Sequence, residues 1–147
     1  MAKDWGKITW FLFHGMLEKI SNENFVKHRI MIIELIVEIC SLLPCPTCQQ
    51  HATNHVKFIN RVTTLAELRK FMFMFHNFVN ERTNKPVVDE NELLKYKNIN
   101  MKRVLSLFYK VYERNRYNNR NFNEQMARKR LVCKMRKFFN ENPTIFD

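Results

Sequence analysis

The stretch Ile30-Met31-Ile32-Ile33-Glu34-Leu35-Ile36-Val37-Glu38-Ile39-Cys40-Ser41-Leu42-Leu43-Pro44-Cys45-Pro46-Thr47-Cys48 decides the fold. Its first half places Ile32, Ile33, Ile36 and Ile39 at helical spacing, and Pro44 ends the run. Pro46 then takes the favoured first turn of a new helix, so Cys45 and Cys48 stand at a helix start. A thioredoxin-like fold would put such a pair after a strand in a βαβ unit, and the helix upstream contradicts that. Glu34 and Glu38 interrupt the apolar run, which is also too short for the roughly 20 residues of a bilayer span.

Helical periodicity continues on both sides. The spacing predicts helices over residues 5–20, with Asp4 as N-cap, then 25–43, 46–60 and 64–82. Ser21-Asn22-Glu23-Asn24 reads as a turn, and Thr64 with Glu67 as a capping box. Asn84-Lys85-Pro86 breaks the fourth helix, and a short fifth spans 89–97. Further helices are expected over 100–117 and 124–140, joined by an asparagine-rich polar hinge over 115–123. The 147 residues make one ordinary domain, with enough apolar bulk for a core. Two glycines exclude both G-x-G-x-x-G and the P-loop, and so few also argue against a turn-rich β-barrel.

Net charge is +11 and unevenly spread. Residues 1–100 hold 13 basic and 10 acidic side chains; residues 101–147 hold 12 and 4. The natural division is a core over residues 1–98 and a basic helical extension over 99–147. That extension is either a solvated helix surface or a dock for nucleic acid or an acidic partner. Its Val104, Leu105, Leu107, Phe108 and Val111 are expected to pack on the core or across a dimer. Asp4, Lys7 and His14 interrupt the apolar N-terminus and no small-residue cleavage site follows, so a reducing compartment rather than secretion is expected.

Four cysteines in such a compartment need a chemical explanation. A Cys-x-x-Cys at a helix start puts two sulfurs within disulfide reach, where unpaired amides and the helix dipole stabilise a thiolate. Cys45 suits exchange with a partner sulfur and Cys48 suits resolution. A zinc site on Cys45, Cys48, His51 and His55 is the competing reading, within a non-enzymatic basic adaptor. Cys40 lies on an apolar helix and reads as a small buried hydrophobe; Cys133 lies among cations. Trp10 and His14 share a helix face, and His76, Asn77 and Asn80 sit among Phe71, Phe73, Phe75 and Phe78. Asparagine is a poor mid-helix choice unless its amide has a partner. Together these groups suit a flat, hydrogen-bonding aromatic ligand wedged into a helical bundle.

Trp10-x-x-x-His14, Pro44-Cys45-x-x-Cys48-x-x-His51 and His76-Asn77-x-x-Asn80 with Lys85, in this order, resemble the Erv/ALR family of FAD-dependent sulfhydryl oxidases. The resemblance spans about residues 5–97. The segment Leu42 to Thr53 is especially similar to versions made by large cytoplasmic DNA viruses of the poxvirus and African swine fever virus type. The resemblance implies an all-α four-helix bundle with a short fifth helix, non-covalent FAD and a homodimer. It implies that Trp10 and His14 contact the adenine end, while His76, Asn77, Asn80 and Lys85 hold the rest of the nucleotide. Cys48 would face the isoalloxazine, His51 would line the flavin pocket, and Cys45 would meet the substrate. The implied substrate is a thiol-containing protein, such as a small thioredoxin-like or Cys-x-x-Cys relay protein, and dioxygen is reduced to peroxide. The implied place is the host cytoplasm or the virion. Two features of many cellular members are missing: a cysteine pair stapling the short helix to helix four, and a second shuttle motif, for which Cys40 and Cys133 are the available extras.

Overall fold

Side-chain caps set where the helices begin. Ser21 Oγ accepts the Asn24 N–H at 3.1 Å, which makes the expected turn the first turn of a longer helix. Thr64 Oγ1 accepts the Glu67 N–H at 3.1 Å and donates to Glu67 Oε1 at 2.8 Å. Asn100 Oδ1 accepts from the Arg103 N–H. The computed structural model describes residues 4–114 and 122–147. It contains α1 (Asp4–Lys19), α2 (Asn22–Ser41), α3 (Pro46–His55), α4 (Leu65–Arg82), α5 (Met101–Glu113) and α6 (Phe122–Glu141). Two 3-10 segments span Ile59–Arg61 and Glu90–Asn98, and no strand occurs among the described residues. The all-α expectation, four helices with a short fifth and a helical extension, matches this order.

Some boundaries differ from the sequence expectation. The third helix stops at His55, where Val56 closes onto Ala52 and the chain tightens into 3-10 geometry that buries Ile59. The short fifth helix is 3-10 rather than α. Its apolar residues Leu93 and Tyr96, continued by Ile99, recur every three positions, which aligns them on one face only with three residues per turn. The helix expected to reach residue 117 ends at Glu113; residues 115–117, and most of the hinge over 115–123, lie outside the described residues.

One hydrophobic cluster holds the helices together. It joins Leu12 and Leu17 of α1, Ile36 and Ile39 of α2, Leu68 and Met72 of α4, Phe108 of α5 and Val132 of α6. α1 packs against α4, the Glu90–Asn98 segment and α5. At Gly15 an added Cβ would lie 2.5 Å from Ile99 Cδ1 and 2.8 Å from Met101 Sδ, so the missing side chain lets α1 approach this junction. α5 buries Val104, Leu105, Phe108 and Val111, while Leu107 faces solvent. α6 runs antiparallel along α2: Arg128 reaches Leu42, Lys134 pairs with Glu38, and Phe138 meets His28. No helix among the described residues is long and apolar enough to cross a membrane.

Candidate active site

The cysteine pair sits where α2 hands the chain to α3. Leu42 caps α2 through its N–H to Ile39 O, and the Cys45 N–H turns back onto Leu43 O at 2.8 Å. Cys45 is the N-cap of α3 in extended backbone, Pro46 follows in the first turn, and the Cys48 N–H donates to Cys45 Sγ at 3.3 Å. The two sulfurs form a disulfide with Cα atoms 5.2 Å apart. Cys48 packs against the core, whereas Cys45 occupies the cap position. When the pair is reduced, the helix N-terminus favours the thiolate form.

A second cluster joins α1 to α4. The Trp10 and His76 rings stack at 4.0 Å and 11°, and His14 Nε2 lies 2.8 Å from His76 Nδ1. Tyr96 covers His14 at 5.0 Å and meets Phe11 edge-on. Burial, followed by the charges of His76 and Lys95, pushes His14 down to about 3. Burial, followed by Lys95 and Lys85, pushes His76 down to about 4. Both rings are therefore neutral near pH 7 and can donate or accept at a flat polar ligand. Sequence reasoning missed Tyr96 and Lys95. The three-residue repeat of Leu93, Tyr96 and Ile99 was the signal that could have placed them on this face.

The asparagines build the end of α4. Asn84 has φ 58, the Asn84 N–H reaches Glu81 O, and the Lys85 N–H reaches Asn80 O at 2.7 Å. This left-handed cap reverses the chain, and Pro86 follows. Asn77 then clamps the returning loop: its Nδ2 donates to Val88 O at 3.0 Å and its Oδ1 accepts the Val88 N–H at 2.9 Å. Asn80 is buried and donates to Asn77 Oδ1 at 3.3 Å. Asn77 thus spends both ends of its amide on holding the loop that carries Lys85, while the Lys85 side chain is exposed.

Two contacts connect the clusters. Arg82 donates to His51 Nε2 at 2.9 Å, tying α4 to α3 one turn beyond Cys48. His55 stacks on Phe75 at 4.6 Å and lies against Phe71 and Phe78, and Phe75 in turn meets Trp10 at 5.2 Å. The structure does not bring the four candidate zinc ligands together. The two sulfurs are bonded to each other, His51 faces an arginine and His55 lies in a phenylalanine cage. Among the described residues no three His, Cys, Asp or Glu side chains converge on a metal position. The donor set fits a flavin nucleotide instead. Stacked rings and neutral imidazoles suit an aromatic base, and Lys85 and Lys95, whose charges both reach His76, would supply positive charge for a diphosphate. Cys40 is buried and its thiol is pushed up to about 12 by desolvation, while Cys133 is exposed on α6.

Comparison with known proteins agrees with this architecture. The model of the Erv1/Alr family matches residues 7–99. A protein of invertebrate iridescent virus 3 bearing the name "Putative FAD-linked sulfhydryl oxidase 096R" is 34% identical over 87 residues. That alignment covers 57% of this chain and 59% of the viral protein, so the chain spans less than two thirds of that relative. An African swine fever virus protein named FAD-linked sulfhydryl oxidase is 29% identical over 103 residues, covering 69% of this chain and 84% of its own. Rice FAD-linked sulfhydryl oxidase ERV1 is 31% identical over 84 residues, covering 56% of this chain and 43% of the plant protein. No solved structure gives a significant match. The disulfide, the Trp10–His76 stack and the asparagine clamp all fall inside the matched span, and the chain belongs to the Erv1/Alr family.

Proposed function

We propose that the chain is an FAD-linked thiol oxidase that makes disulfides in partner proteins. The observation that carries this reading is the Cys45–Cys48 disulfide at the N-terminus of α3, a helix whose His55 reaches through Phe75 to the Trp10 ring and its stack with His76. The names of the viral and plant relatives support the same reading.

A substrate thiolate attacks Cys45 Sγ, the sulfur at the cap position. The Cys45–Cys48 bond breaks and Cys48 leaves as a thiolate, favoured by the helix amides and the dipole of α3. A second substrate thiolate attacks the mixed disulfide, releasing substrate disulfide and the Cys45 thiol. Two electrons and two protons have then moved from the substrate dithiol to the pair. Bound FAD supplies the two-electron acceptor that restores the disulfide, with dioxygen as the final acceptor and hydrogen peroxide as product. Trp10, His14, His76 and Tyr96 offer ring faces and neutral ring nitrogens to the nucleotide. Asn77 and Asn80 fix the loop that brings Lys85 to it, and His51, one turn past Cys48 on α3, is held by Arg82 of α4.

A dimer belongs to the same proposal. Val26, Ile30 and Val37 share one exposed face of α2, an apolar stripe that a second copy could cover. The viral origin of these relatives is compatible with action inside an infected cell; the proposal extends to the host cytoplasm or the virion as its place and to a relay protein bearing a thiol pair as its substrate. The test is aerobic turnover with a dithiol. Peroxide should appear in step with disulfide, and flavin removal should stop both. Disulfide formation that continues unchanged without flavin would overturn the reading.

A further inference from the structure

The strap Leu42-Leu43-Pro44 carries the chain from α2 to Cys45; Pro44 has no N–H, and the Cys45 N–H already turns back onto Leu43 O. Side chains from elsewhere hold its carbonyls. Arg128 Nη1 on α6 donates to Leu42 O at 3.1 Å and to Glu124 Oε1 at 3.2 Å. Gln49 Nε2 on α3 donates to Leu43 O at 2.7 Å and to the same Glu124 carboxylate oxygen. Arg128, Glu124 and Gln49 thus form a closed bracket across α6, the strap and α3. All of α6 lies beyond the family's residues 7–99.

Packing alone does not account for Arg128. Its side chain is 5% exposed, and a buried ion pair is often no more stable than apolar residues of the same volume. Capping α2 would need only a cation near Leu42 O. It would not need the onward link through Glu124 to Gln49, one residue past Cys48. We infer that Arg128 and Glu124 are positioning residues for the redox pair, so that the C-terminal extension completes the active site. This rests on the reading of Cys45–Cys48 as the exchanging disulfide. The bracket holds the two cysteines near the 5.2 Å Cα separation of the disulfide, so the reduced thiols face each other at high effective concentration.

The test is equilibrium of the full chain with glutathione: protein disulfide plus two glutathione thiols give protein dithiol plus glutathione disulfide. The reduced pair is counted by mass as two additional alkyl labels. Glu124→Gln and Arg128→Met should each raise the equilibrium constant for reduction by about tenfold, and Arg128→Lys, which keeps a donor for Leu42 O, by less. The same variants should lower the melting temperature of the oxidised form more than that of the reduced form. Equal destabilisation of both forms, with an equilibrium constant within about twofold of the parent, would overturn the proposal. Glu124→Gln keeps the side-chain shape and decides the matter even if Arg128→Met does not fold. The titration is run anaerobically, and any flavin carried by the chain is followed separately by its absorbance, so the alkyl count reports the cysteine pair alone. A chain that bound no FAD would therefore sink the oxidase reading while leaving this result standing, and the reverse also holds.

Discussion

His14 Nε2 lies 2.8 Å from His76 Nδ1, so one ring must present a lone pair to the other and the two cannot both be protonated there. Burial holds their pKa values at about 3 and about 4, well below the ordinary histidine value of 6.5. Folding therefore favours the neutral rings, and the unfolded chain binds more protons below pH 6.5. This contribution to stability is complete above about pH 6.5 and is lost as the pH falls through about 4 and then about 3. Melting temperature should drop across that window, and His14→Phe should make the drop shallower. A flat profile in the parent protein would contradict a neutral pair.

Asn77→Ala leaves both polar groups of Val88 without their partner, at a cost of about 1–3 kcal/mol. The loop carrying Lys85 should loosen, and flavin affinity, read by fluorescence titration, should fall at least about tenfold. The Cys45–Cys48 equilibrium with glutathione should not move. Asn77→Asp, which keeps the acceptor for the Val88 N–H, should fall in between.

Cys45 has two separable duties, exchange and capping. Cys45→Ser keeps an oxygen that can accept the Cys48 N–H, so α3 should stay capped and flavin bound while dithiol oxidation stops. Cys45→Ala should also lose oxidation and be less stable than the serine variant by about 1 kcal/mol. Denaturant unfolding of the two variants separates these duties.

Thr9 Oγ1 donates to Trp5 O and accepts from Tyr112 Oη at 2.7 Å, so α5 is hydrogen-bonded into the buried side of α1. Tyr112→Phe should cost about 0.5–1.5 kcal/mol. Deleting residues 99–147 strips Phe108 and Tyr112 from the same cluster, and the remaining fragment should fail to unfold cooperatively in calorimetry.

The fold was legible wherever a 3.6-residue apolar repeat met a capping side chain. The α4 start at Thr64 and the Pro44–Pro46 hand-over from α2 to α3 are such places. The Glu90–Asn98 segment was harder to read because its repeat is three residues and its composition is charged. At the site, the sequence could nominate Trp10, His14, His76 and the cysteines by type and spacing. It could not show that Tyr96 closes over His14, or that Asn77 is committed to Val88, since both depend on where a distant loop lands. Arg128 was invisible for the same reason. One arginine in a basic helix carries no mark that its guanidinium is buried against Leu42.

The most direct test of the whole account is the visible spectrum of the purified protein during anaerobic titration with a dithiol. The account predicts a flavin band that bleaches as the dithiol is consumed, and that persists unbleached in Cys45→Ser. A folded, colourless protein that takes up no FAD, or a flavin whose reduction is indifferent to loss of Cys45, would contradict it.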